Sequence, residues 1–169
     1  MNDIRRYITI LENASEDELQ KYRDEEAYWQ NERKKYWPVS PELLAQYKDG
    51  THTEKNIFDS LIWRQNLQWH RDSDKPAYIG KNGTLFWYQN ARRHRDGDKP
   101  AVIYPNGSLE WWQNGQHHRI CGPAVIYPTG RQEWWINNEN ITKEVNAWLA
   151  GEEWQGTPEQ IFEFKLRFT

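Results

Sequence analysis

Between Leu61 and Asn138, apolar and polar positions alternate with period two in short runs, and the runs recur at a fixed interval. Alternation over four to six residues, bounded by Asn-Gly or by charged clusters, predicts short β-strands joined by turns. One phrase occurs four times, as Trp63-Arg64-Gln65-Asn66, Trp87-Tyr88-Gln89-Asn90, Trp111-Trp112-Gln113-Asn114 and Trp134-Trp135-Ile136-Asn137. A second follows it as Asp74-Lys75-Pro76-Ala77, Asp98-Lys99-Pro100-Ala101 and Gly122-Pro123-Ala124. Copies stand 24 residues apart, closing to 23 after Pro100. A period of this size is the signature of a repeat architecture. Each unit therefore reads as two strands, with Asn82-Gly83 and Asn106-Gly107 suited to turns that need positive φ. Hairpins laid side by side predict one long antiparallel sheet in which every unit relies on its neighbours.

Strand alternation sorts the repeated residues onto two faces. Leu85, Trp87 and Gln89 share one, and Phe86 and Tyr88 the other. The face of Trp63, Trp87, Trp111 and Trp134 keeps its residue type in every copy and is expected to be core. The opposite face changes from Arg64 to Tyr88, Trp112 and Trp135, as a surface fitted to a partner would. Arg92, Arg93 and Arg95 are expected at its rim. The competing reading is that terminal helices cover these aromatic residues.

The flanks read as helical. Ile4, Tyr7, Ile8 and Leu11 suggest a short amphipathic helix over 4–12, and Ser15 with Glu18 forms a capping box for a second running to about Tyr36. Ser40-Pro41 starts another, with Gly50 placed to end it. Beyond the array, Thr142 reads as the N-cap of a helix carrying Val145, Trp148 and Leu149. Thr157-Pro158-Glu159-Gln160 starts a terminal helix that shields the last hairpin. The expected class is α+β: an elongated twisted antiparallel hairpin sheet over 61–138, capped by helical segments at 1–60 and 139–169.

The Trp-x-x-Asn-Gly…His-Arg…Gly-Pro-Ala pattern resembles a tryptophan-rich variant of the MORN repeat. Trp111, Asn114, Gly115, His118, Arg119, Gly122, Pro123 and Ala124 carry the match. Asp74-Lys75 and Asp98-Lys99 depart from it, as do Leu67 and Ala91 where the third copy has Gly115. The resemblance implies a hairpin array of the kind frequent in bacteriophage and large-virus proteins, working through interactions rather than reactions. It points to a phage-encoded protein acting in the host bacterial cytoplasm on a host protein, such as a component of a defence system. A virion or assembly component is the other form of that reading.

Composition narrows the chemistry. Eleven Trp and nine Tyr among 169 residues compensate for a modest hydrophobic share of 37%. No apolar run spans a bilayer, and the N-terminus lacks the apolar stretch of a signal peptide. The lone Cys121 excludes an internal disulfide or a multi-cysteine metal site, and reads as drift at a loop position. His70, His94 and His118 recur one unit apart, at roughly 10 Å in a sheet, too far to share an ion, and read as structural loop residues. Asp72, Asp74, Asp96 and Asp98 lie beside Arg and Lys and read as salt-bridged loops. No cofactor motif and no catalytic constellation is present, so the expectation is a protein without enzymatic activity, cofactor or metal.

Between Ile62 and Trp135 there are ten Lys/Arg and six Asp/Glu, a formal +4 inside a net charge of −3. Aromatic residues interleaved with cations make single-stranded nucleic acid the alternative ligand. The acidic flanks argue against it, and against a membrane surface. Sheet edges also leave room for homo-oligomers.

Overall fold

The tryptophan of each repeated phrase is where the chain leaves one sheet and enters another. The computed structural model describes residues 40–56 and 59–169. The helices expected over 4–12 and from Glu16 to Tyr36 lie outside the described residues. The described chain is mixed helix and strand, with three helices and antiparallel hairpins. An eight-stranded sheet contains β1 (Glu54–Lys55), β2 (Leu61–Ile62), β5 (Tyr78–Ile79), β6 (Leu85–Phe86), β9 (Val102–Ile103), β10 (Leu109–Glu110), β13 (Val125–Ile126) and β14 (Gln132–Glu133), in that spatial order. Four separate two-stranded ribbons leave it: β3–β4 (Arg64–Gln65, Gln68–Trp69), β7–β8 (Tyr88–Gln89, Arg92–Arg93), β11–β12 (Trp112–Gln113, Gln116–His117) and β15–β16 (Trp135–Ile136, Glu139–Asn140).

The strand expected to run unbroken through Trp87 is therefore two strands in two sheets. Trp87 N–H donates to Ala101 O in the main sheet at 2.8 Å, while Trp87 O accepts from His94 N–H in the ribbon at 3.2 Å. One residue serves both sheets, and the chain turns there. Trp63 and Trp111 repeat both bonds, with Ala77 and His70, and with Ala124 and His118. Strand β1 also pairs in front of β2, so the sheet begins before Leu61, at Glu54.

Two kinds of turn alternate. At Asn82-Gly83, Asn106-Gly107 and Thr129-Gly130 only the glycine takes positive φ, and the preceding side-chain oxygen accepts the next N–H. The ribbon tips need positive φ at both residues: Asn66-Leu67, Asn90-Ala91, Asn114-Gly115 and Asn137-Asn138. That is the two-residue turn whose twist matches its strands. Leu67 (φ 65°) and Ala91 (φ 61°) hold it without being glycine.

The repeated indoles are buried to 4% exposure or less, as the recurring residue type predicts. Each of the first three carries an arginine on its face: Arg71 lies 3.7 Å from the Trp63 ring centroid, Arg95 3.8 Å from Trp87 and Arg119 4.0 Å from Trp111. Each guanidinium also donates to the carbonyl of the buried Pro76, Pro100 or Pro123. Its carboxylate comes from the preceding unit. Arg95 Nε and Lys99 Nζ meet Asp74 at 2.6 and 2.7 Å, and Arg119 Nε meets Asp98 at 2.8 Å. Asp74 O and Asp98 O accept the Trp87 and Trp111 indole N–H, each at 3.1 Å. Asp74 thus pairs with Lys99, not with its neighbour Lys75, and it joins units rather than closing its own loop. At the start of the series, Asp49 after α1 (Pro41–Tyr47) supplies the carboxylate for Arg71 and Lys75.

The ends of the core are closed by helices. Ser40 and Thr157 cap α1 and α3 (Pro158–Phe168) as expected, and α1 ends at Tyr47, short of Gly50. Thr142 is not a cap. It is the first residue of α2 (Thr142–Leu149), and its hydroxyl accepts Trp134 N–H at 2.9 Å. Where earlier indoles carry an arginine, Trp134 meets the rings of Trp154 and Phe164 at 4.9 and 5.2 Å.

Two outcomes follow from this geometry. Ala91→Gly relieves a left-handed alanine and raises unfolding free energy by about 1 kcal/mol in urea titrations. Burial works to raise the Asp74 carboxyl, but hydrogen bonds from Arg95 and Lys99 outweigh it and hold it below its ordinary value. Its stabilisation is present above the unfolded carboxylate range, about pH 4, and is lost as pH falls through the lower folded value. Asp74 is nearly half exposed, so solvent screening limits the loss in Asp74→Asn at pH 7 to about 1 kcal/mol, or roughly 2–4 °C in melting temperature. Melting curves of both proteins converge toward pH 2.

Candidate functional ladder on the ribbon face

Ribbon side chains meet one another across all four ribbons, and Tyr88, Trp112 and Trp135 among them also pack against the indole core. Within a ribbon, register pairs Arg64 with Trp69, Tyr88 with Arg93, Trp112 with His117 and Trp135 with Asn140. The Arg64 guanidinium lies 5.6 Å from the Trp69 ring centroid, and Arg93 Nε donates to Tyr88 Oη at 3.3 Å. Trp112 and His117 stand with ring centroids 3.7 Å apart. Contacts between ribbons complete the series: Trp69 to Tyr88 at 4.9 Å, Arg93 to Trp112 at 4.8 Å and His117 to Trp135 at 5.2 Å. Seven side chains, from Arg64 to Trp135, form one unbroken ladder of aromatic rings and cations. All seven are half-buried.

Backbone bonds between tips fix the ladder's spacing. Ala91 N–H donates to Trp69 O, Gly115 N–H to Arg93 O and Asn138 N–H to His117 O, at 2.9–3.0 Å. Beside them, His70, His94 and His118 accept the N–H of Asn90, Asn114 and Asn137 through Nδ1 at 3.1–3.2 Å. Nδ1 acts as acceptor, so Nε2 carries the proton in His70 and His94 and donates to Asp72 and Asp96 at 2.9 Å. That hydrogen bond is the main cause holding Asp96 below its ordinary value. These histidines are staples between neighbouring ribbons. Among the described residues no group of three or more His, Cys, Asp or Glu is arranged to hold a metal ion.

Carboxylates set the far half of the ladder. Trp112 Nε1 donates to Glu110 at 2.8 Å, and Trp135 Nε1 to Glu133 at 3.1 Å. Tyr127 and Arg131 also reach Glu133. Burial works to raise both carboxyls, and the surrounding donors and charges outweigh it, so both stay below the ordinary range. Each indole is fixed by its N–H on a charged group. His117 Nε2 is buried 3.5 Å from Glu110, without a hydrogen-bond partner among the described residues. The near half is apolar below the ladder, where Tyr78 stacks on Trp69 and Phe86 at 5.7 and 5.1 Å.

Of the residues expected at a partner surface, Arg64, Tyr88, Arg93, Trp112 and Trp135 come together here. Arg92 is exposed and lies against the next tip, where a Cβ on Gly115 would stand 3.6 Å from its own. Arg95 is on the other side, buried on Trp87. Its recurrence as Arg71 and Arg119, in step with the indoles, is the sequence signal for that placement. Trp69 and His117 are ladder members that sequence reasoning missed, because their positions change type between units. The described helices direct their ring contacts to the indole side, through Tyr47 on Trp87 and through Trp148, Phe164 and Phe168 around Trp134 and Trp154. Burial pushes the half-buried Cys121 thiol up, with the Asp98 charge adding to it, away from the thiolate form that a nucleophile needs.

The two faces separate by stability. Trp111→Ala costs about 3–5 kcal/mol, as deletion of a buried aromatic does, while Trp112→Ala costs less than half as much by urea denaturation. Equal losses would make the ladder part of the core.

Among the described residues no helix is long and apolar enough to cross a membrane. Comparison with protein-family models, curated protein sequences and solved structures returns no match.

Proposed function

We propose that this protein is a non-enzymatic docking module built from MORN-like hairpin repeats, and that the ladder from Arg64 to Trp135 is its partner-binding surface. The observation that supports it most is the ladder's continuity across four ribbons while the ring contacts of the described helices go to the indoles of the core. Half-buried Trp, Tyr and Arg held rigid before contact are the residue types that dominate protein interfaces, because little side-chain freedom remains to be lost. The repeat resemblance extends the reading to a phage-encoded protein that engages a host protein in the bacterial cytoplasm, in the manner of a defence inhibitor.

Single-stranded nucleic acid is the rival reading, favoured by rings interleaved with Arg64 and Arg93. Glu110 and Glu133 oppose it, since both remain charged on the far half of the ladder.

Affinity capture from bacterial lysate tests the docking surface. One stoichiometric protein is retained by the wild type and lost with Trp112→Ala and with Trp135→Ala, although both variants keep the wild-type circular dichroism spectrum. Retention of the partner by both folded variants contradicts the assignment.

A further inference from the structure

The hairpin array holds seven arginines, and among the described residues two, the exposed Arg92 and the half-buried Arg93, meet no carboxylate. Arg71, Arg95 and Arg119 pair with Asp49, Asp74 and Asp98, Arg64 pairs with Glu54, and Arg131 pairs with Glu133. Of Arg92 and Arg93, the latter is stacked between rings, with no carboxylate on it among the described residues. Its guanidinium lies over the rings of Phe86 and Trp112 at 5.1 and 4.8 Å, and its Nε donates to Tyr88 Oη. Its two terminal amino groups make no hydrogen bond among the described residues, and the residue is half-buried. Glu110 acts on it only through its field, with an oxygen engaged by Trp112 Nε1.

We infer that Arg93 is the receptor for a carboxylate on the docked partner, an Asp or Glu side chain flanked by apolar residues that lie on Trp69 and Trp112. This rests on the ladder being a docking surface. A guanidinium presents two parallel N–H donors that match a carboxylate, and stacking between rings fixes that fork before the partner arrives. The rings on either side exclude water from the pair, which strengthens it. A phosphate backbone would meet the same fork, but a continuous strand of phosphates would also run past the charged Glu110 and Glu133. One acidic side chain need not. The partner segment is therefore acidic and apolar by turns.

The test uses the full-length protein, labelled with nitrogen-15, and four probes. The first is a nine-residue peptide alternating Leu or Trp with Glu. The second and third carry Gln or Lys in place of Glu, and the fourth is an oligo-deoxythymidine of similar length. Titrations follow the Arg93 Nε–H resonance and the indole resonances of Trp69 and Trp112. The acidic peptide binds at least tenfold more tightly than its Gln twin. Arg93→Gln removes that difference, and the surface control Lys143→Gln leaves it intact. Equal binding of acidic and neutral peptides, both lost with Trp112→Ala, overturns the role of Arg93 and leaves the docking surface standing. Tighter binding of the oligonucleotide, dependent on Arg93, overturns it in favour of phosphate. Absence of any shift at the ladder with all four probes contradicts both readings.

Discussion

The fold depends on a cation buried between units. Each of Arg71, Arg95 and Arg119 has an indole beneath it, a proline carbonyl beside it and a carboxylate from the preceding segment, which is the unit before for Arg95 and Arg119 and the turn after α1 for Arg71. Burial alone opposes such a charge: it is the leading cause that lowers Arg71 from its ordinary value, against the pull of Asp49. A desolvated guanidinium on an indole contributes about 2 kcal/mol, and removing its carboxylate would leave a buried charge unmatched. The interaction therefore selects a register. A unit displaced by one position would face its arginine with the wrong loop. Thin two-residue strands suffice because this contact, not strand length, fastens one unit to the next.

That arrangement divides the labour between faces. The indole side is fixed by the cation, the buried Ala77, Ala101 and Ala124, and the helices that close its ends. On the ribbon side the spacing is set by tip bonds and histidine staples, which use backbone atoms and so tolerate different ladder side chains. Trp69, Arg93, His117 and Asn140 occupy the same place in successive ribbons with four different chemistries. A scaffold that keeps its spacing while its surface varies is suited to recognition.

Much of the core was legible in the sequence because the repeat exposes it. An indole that returns at every copy is a packing requirement, and Trp63, Trp87, Trp111 and Trp134 are buried accordingly. The same reasoning applied to Arg95 would have placed it beside the indole instead of at the rim. The break at Trp87 was not legible, because alternation continues across it and only hydrogen-bond direction distinguishes two sheets from one. Asp49 was hidden by lying outside the repeat, and the true partner of Asp74 by sitting 21 residues away while Lys75 stands next to it. At the ladder, position gave Arg64, Tyr88, Trp112 and Trp135, whereas Trp69 and His117 required the cross-strand register that ribbon turns set.

A double-mutant cycle between Asp74 and Arg95, set beside one between Asp74 and Arg119, measures the inter-unit contact most directly. The account predicts a coupling of about 1 kcal/mol or more for the first pair, as for residues in contact, and additivity within about 0.5 kcal/mol for the second. Additive losses at Asp74 and Arg95 would contradict it, since the units would then be held by something other than the shared cation.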